Sequence, residues 1–151
     1  MKNYVKHRHT AIAVILLVLL SLLLSGCGVS TDAGKETVGD FCAALKNDDL
    51  EAAVSLIHPS AELTAEQLGE AISDIEQRYG VDFSDGVVFK RCINVSQQSN
   101  VSVGNGTTKS LSLRYEVSIS DCDLILSVVI IENSGGYGIN TFLIESSAAA
   151  V

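Results

Sequence analysis

The hydrophobic period changes once along this chain, near residue 86, and that change restricts the fold more than any other feature. Before it, apolar residues recur at three- and four-residue intervals; after it, they alternate. Leu111, Leu113, Tyr115, Val117 and Ile119 alternate with Ser112, Arg114, Glu116, Ser118 and Ser120. Successive side chains of a strand point to opposite faces, so this run predicts an antiparallel strand with one buried and one wet face. Residues 87–96, 122–132 and 137–145 predict three more strands. Gly104-Asn105-Gly106 and Ser134-Gly135-Gly136 mark turns, and Ser120-Asp121 suits a tight hairpin. Residues 97–108 read as a long polar loop.

Three helical stripes come first. Val38, Phe41, Cys42 and Leu45 share one face. Asp48-Asp49-Leu50-Glu51 opens a second helix with Asp48 as N-cap; Leu50, Ala53, Val54 and Ile57 form its stripe, and Pro59 closes it. Thr64-Ala65-Glu66-Gln67 is a capping box for the third, with Leu63 and Leu68 placed as a hydrophobic staple. Leu68, Ala71, Ile72, Ile75 and Tyr79 follow, and Gly80 supplies the stop. Helices followed by a meander predict an α+β domain over 36–146, with N-terminal helices packed on a curved four-stranded antiparallel sheet and a tail at 147–151.

Phasing the hairpins by parity assigns one face to the helices. It collects Val87, Phe89, Arg91, Ile93 and Val95, the odd residues 111–119, then Cys122, Leu124, Leu126, Val128 and Ile130, and finally Tyr137, Ile139, Thr141 and Leu143.

The two ends of the chain differ in charge. Residues 1–26 hold Lys2, Lys6 and Arg8 and no acid, so 27–151 keeps seven of the ten Lys and Arg but all eighteen Asp and Glu, a formal charge of −11. That balance argues against nucleic acid and against docking on anionic lipid through a basic face. Behind the basic start, Ala11 to Leu24 is a run of fourteen residues, apolar except for Ser21. It falls short of the roughly 20 residues a membrane span needs, and small residues follow at once, as at a signal-peptide cleavage site.

Those residues, Leu24-Ser25-Gly26-Cys27, resemble the lipobox of bacterial lipoproteins at all four positions. The resemblance implies that the Cys27 thiol receives a diacylglyceryl group and that cleavage before it makes Cys27 the first mature residue. Membrane lipid is then a partner, and the location is extracytoplasmic, at the membrane surface. Two acyl chains give stable anchoring where one gives marginal binding. Residues 28–35 read as a short tether, about 28 Å at full stretch.

The segment Val38-Gly39-Asp40-Phe41-Cys42-Ala43-Ala44-Leu45-Lys46-Asn47-Asp48-Asp49-Leu50-Glu51-Ala52-Ala53, with the strand order after it, resembles the nuclear transport factor 2-like superfamily of cone-shaped folds, especially its small secreted lipoproteins. Enzymes of that superfamily place an Asp, or a His–Asp pair, with Tyr inside the cone. Tyr115, Tyr137 and Thr141 fall on the expected inner face, but no Asp or His matches there.

The remaining candidates each have a plain alternative. Cys42, Cys92 and Cys122 are free to pair after export; Cys42–Cys122 is the first pair to test, and Cys92–Cys122 becomes its rival if a bulge lies beside Cys92. His58 sits at the end of the second helix, where a cation favours the terminal carbonyls. Arg91 interrupts an apolar face, so it meets a helix carboxylate, lines an anion pocket, or reaches solvent at the sheet edge. Gly104 to Ser110 lacks the Gly before Lys that a phosphate loop requires, and Asp121-Cys122-Asp123 lacks the other ligands of a calcium loop. No metal site or cofactor is expected. The leading functional expectation is a non-catalytic surface module that binds an envelope protein or a small molecule. A small cone-fold enzyme using Tyr115 or Tyr137 is the rival, and an envelope structural or sensory subunit a third.

Overall fold

The computed structural model describes residues 29–102 and 106–147; the leader with Cys27 lies outside the described residues. Helices α1 (Thr31–Lys46), α2 (Leu50–Ser55) and α3 (Ala65–Tyr79) precede strands β1 (Val88–Ser102), β2 (Gly106–Ile119), β3 (Cys122–Asn133) and β4 (Gly136–Ser146). Short 3₁₀ turns occupy Pro59–Ala61 and Phe83–Asp85. The strands form one antiparallel sheet in the order β1-β2-β3-β4. The chain is therefore α+β, as the change of period requires. Among the described residues no helix is long and apolar enough to cross a membrane.

Capping explains the helix limits. α1 begins at Thr31, inside the stretch expected as tether, because Ser30 caps it: the hydroxyl accepts from the Ala33 N–H at 3.5 Å, and Asp32 lies in the first turn. In its first turn Gly34 is buried against β2. A Cβ on Gly34 would collide with Leu111 Cδ2. α2 is capped by Asp49, not Asp48: the Asp49 carboxylate accepts from Ala52 N–H at 3.0 Å. Asp48 instead takes left-handed backbone (φ 55) in the link from α1. The Thr64–Gln67 capping box forms as expected, and Gly80 ends α3 in left-handed conformation (φ 66).

β2 is the axis of the core. Leu111, Leu113, Tyr115, Val117 and Ile119 are all buried, as are Leu124, Leu126, Val128 and Ile130 of β3. Val38, Phe41 and Leu45 of α1, Ala53 of α2, and Leu68 and Ile72 of α3 close over them. Each large aliphatic or aromatic side chain buried there contributes about 1.5–3 kcal/mol. The β2–β3 hairpin turns on Ser120 and Asp121, both left-handed (φ 47 and 62). The Ser120 hydroxyl accepts from Asp82 N–H at 2.9 Å and ties this turn to the loop before β1.

Three bulges re-aim the outer strands. In β1, Phe89 pairs with Val117 and Arg91 with Glu116, so Lys90 is an extra residue; Cys92 pairs with Tyr115 and Asn94 with Arg114, so Ile93 is another. One extra residue flips every later side chain to the other face. Arg91 therefore leaves the helix-facing side, contrary to expectation, and Cys92 joins it opposite Tyr115. After both bulges the original phase returns, with Val95 opposite Leu113 and Gln97 opposite Leu111. β4 is bulged at Asn140, between the Ile139–Ile130 and Thr141–Val129 pairs. Thr141 and Leu143 thus turn to solvent, and Phe142 and Ile144 turn in. Phe142 packs on Phe41 with ring centroids 5.0 Å apart.

Residues 97–102 and 106–108, expected within a long loop, are strand; 103–105, with Gly104 and Asn105 of the expected turn, lie outside the described residues. Ladder pairing continues from Gln97–Leu111 to Ser102–Gly106. The Ser, Thr, Asn and Gln residues of these strand ends lack an apolar alternation because they extend beyond the core, where backbone pairing alone holds them. Gln97 adds side-chain bonds to Val29 O at 2.9 Å and Thr31 Oγ1 at 3.0 Å.

Candidate functional site

The helices leave one margin of their side of the sheet uncovered. Along β1, Phe89 (41 % exposed), Cys92 and Val95 (41 %) face the helix side without a helix above them. Phe89 packs edge-on against Tyr115, with ring centroids 5.1 Å apart. Between α1 and β1 lies a groove of about 230 Å³, bordered by Gly39, Cys42, Lys46, Gly86, Val88 and Phe89. Its lining is mostly apolar, with Lys46 and Asp85 as the charged residues. Burial pushes the Cys42 thiol up to about 12, so it stays protonated. Tyr115 is also pushed up to about 12, first by burial and then by the nearby Cys92 and Cys42 sulfurs.

Tyr115 and Tyr137 do not form one site. Tyr115 is 6 % exposed opposite Leu126, whereas Tyr137 pairs with Glu132 at the far end of β3, roughly 20 Å along the strand. Tyr137 stands half in solvent and bonds to Thr37 Oγ1 at 2.9 Å. Thr37 gives its own proton to Ala33 O, also at 2.9 Å, so Tyr137 is the donor. The Tyr137 hydroxyl thereby joins β4 to α1.

Arg91 pairs with Glu116 on the outer face, N to O 2.8 Å, and its side chain is 72 % exposed. The neighbouring Arg114 meets Glu145 at 3.5 Å. Each cation thus has an acid, while the Arg114 Nε is buried without a hydrogen-bond partner, and the outer groove is lined by Arg91, Arg114 and Glu116 with Ile93, Ile125 and Ser147. Cys42, Cys92 and Cys122 are all free thiols. Cys42 and Cys92 flank Tyr115, whereas Cys122 lies opposite Ile119 at the end of β2, about 13 Å along the strand.

His58 was the least legible of the polar residues. It does not stand at a helix C-terminus: α2 stops at Ser55, and His58 is 1 % exposed. Its Nδ1 accepts from the Ser60 hydroxyl at 2.7 Å and from the Ser60 N–H at 3.2 Å. The ring proton therefore sits on Nε2 and is donated to Asn133 Oδ1 at 3.3 Å. Asn133 Oδ1 also accepts from Gly135 N–H at 2.7 Å. These groups border an open depression of about 660 Å³ beside the β3–β4 turn.

Ser60, His58 and Asn133 have the connectivity of a nucleophile, a base and an orienting group. Two features oppose that use. Nδ1 is already the cap of the 3₁₀ turn through the Ser60 backbone, and neither ring nitrogen meets a carboxylate that would balance an imidazolium. The arrangement works as a structural clasp. Only the His-Pro-Ser order around Pro59 hinted at it, since Asn133 arrives through the fold.

Among the described residues no three His, Cys, Asp or Glu side chains gather to hold a metal ion. No protein-family model, curated protein or solved structure is significantly similar to the chain.

Proposed function

We propose that this chain is the precursor of an extracytoplasmic lipoprotein, held at the membrane surface by a diacylglyceryl group on Cys27. The observation that carries the reading is Leu24-Ser25-Gly26-Cys27, placed directly after a basic start and a fourteen-residue apolar run. Its α+β domain is a non-catalytic binding or scaffolding module with a nuclear transport factor 2-like cone. The helix-facing side supports that choice: Tyr115 is 6 % exposed with Phe89 packed on it, and the cavity of about 250 Å³ between α1, α3 and β4 is lined by apolar side chains with Asn140 and Thr141 and by no Asp, Glu or His. The binding surface is the uncovered margin along the first half of β1, around Val88 and Phe89, whose exposed apolar side chains suit an envelope protein or an apolar small molecule.

Fractionation of cells expressing the full chain tests this reading. Wild type partitions with membranes and Cys27→Ser shifts to the soluble fraction; equal partitioning of the two contradicts it. A second reading, a small hydrolase, has one observation in its favour, the Ser60–His58–Asn133 connectivity.

A further inference from the structure

The two edges of the sheet are finished differently. At the β4 edge, the segment 56–58 lies alongside Ile139 as a short parallel bridge. Ile139 N–H donates to Leu56 O at 2.9 Å, and His58 N–H donates to Ile139 O at 2.9 Å. That edge is covered around Ile139, and the Tyr79 hydroxyl donates to Ile144 O at 2.9 Å. At the other edge β1 pairs with β2 alone, and among the described residues no backbone bond beyond that ladder reaches it.

β1 itself has two halves. Its first half carries the devices that keep an edge from pairing: bulges at Lys90 and Ile93 and the charges of Lys90 and Arg91. Its second half carries none of them. From Asn94 to Ser102 the register runs unbroken, and from Cys92 to Ser102 there is no charge, proline or glycine. In a chain whose 27–151 portion has a formal charge of −11, this is a neutral exposed strand, where a second acidic copy can approach without like-charge contact.

We propose that Asn94–Ser102 is a strand-pairing edge, and that its occupant is the same edge of a second copy, antiparallel about a two-fold axis at Gln98. Closed two-fold pairing is the commonest form of self-association. This register sets Gln98 against Gln98 and Gln97 against Ser99. It also sets Val95 against Val101 of the second copy, with both side chains on the helix-facing side. Val95 is 41 % and Val101 79 % exposed in the single chain, so pairing covers apolar surface that β1 otherwise leaves in water. The bulged first halves splay away at either end of the contact. The two sheets become one eight-stranded sheet whose outer edges are the β4 strands, each bridged at Ile139.

The test uses the full chain in membranes, in a Cys92→Ser background. Gln98→Cys places a thiol on the axis and should give an interchain disulfide dimer on mild oxidation. Val88→Cys, exposed at the bulged end and far from the axis, should not. In detergent, the chain without an added cysteine should sediment as a dimer and Gln98→Lys as a monomer, with unchanged circular dichroism. The proposal is overturned if Gln98→Cys cross-links no more than Val88→Cys, if the chain is monomeric at every concentration, or if Gln98→Lys remains dimeric. Cross-linking of Gln98→Cys to a different protein, with none to itself, also overturns the assignment of a second copy.

Discussion

Gly138 lies directly beneath the backbone of His58: a Cβ at 138 would stand 2.6 Å from the His58 nitrogen and 2.8 Å from its Cα. Side-chain movement cannot relieve a clash with main chain. Gly138→Ala should therefore lift segment 56–58 from β4 and cost about 1–3 kcal/mol in urea unfolding. Hydrogen exchange gives the sharper reading. The His58 and Ile139 amides should lose protection while those of β2 keep theirs. Unchanged protection at His58 would show that the edge cover does not depend on this glycine.

The link between α1 and α2 separates two adjacent aspartates. Asp49 caps α2, and Asp49→Ala should cost about 1 kcal/mol. Asp48 is in left-handed backbone, so Asp48→Gly should cost nothing. Equal losses at both positions in thermal unfolding would contradict the assignment.

Tyr137 and Thr37 hold β4 to α1 through one hydrogen bond. Tyr137→Phe should cost about 0.5–1.5 kcal/mol. A double-mutant cycle with Thr37→Val should show coupling between them. Additive effects would mean that the bond is not formed in solution.

Alkaline stability should report the buried thiol and phenol. Both Cys42 and Tyr115 have folded values pushed up to about 12, from ordinary values of 9.0 and 10.0. The fold favours their protonated forms, so their stabilising effect is complete below about pH 9 and is lost as pH rises toward 12. The urea midpoint of wild type should fall over that window. Cys42→Ala combined with Tyr115→Phe should flatten the fall, although the truncation also lowers stability at neutral pH. An alkaline fall identical in wild type and variant would contradict the assignment.

The Ser60–His58–Asn133 connectivity can be tested against the structural reading. A fluorophosphonate probe should label wild type no more than Ser60→Ala. Labelling at Ser60 that is lost in His58→Ala would favour the hydrolase reading. Surface exposure predicts a similar silence at Arg91, where Arg91→Ala should change stability by less than about 1 kcal/mol.

Local chemistry made much of this fold legible. The alternation of β2, the Thr64–Gln67 box, the Gly80 stop and the Ser120-Asp121 hairpin each depend on residues near one another in sequence. What stayed hidden depends on partners far along the chain. The bulges at Lys90, Ile93 and Asn140 have no residue signature, yet the first and third turned Arg91, Thr141 and Leu143 to faces opposite those expected. The start of α1 has no apolar stripe, and its Gly34 packs on Leu111, a contact that arrives only through the fold. The burial of His58 follows from the docking of 56–58 on β4, which no local pattern encodes.

Mass spectrometry of the N-terminal peptide from membrane-extracted protein, with palmitate labelling, reaches furthest into the functional reading. Lipidation predicts a mature chain that starts at Cys27 and carries a diacylglyceryl group, with the label lost in Cys27→Ser. A mature chain that starts elsewhere, or an unmodified Cys27 thiol, would contradict the anchored role.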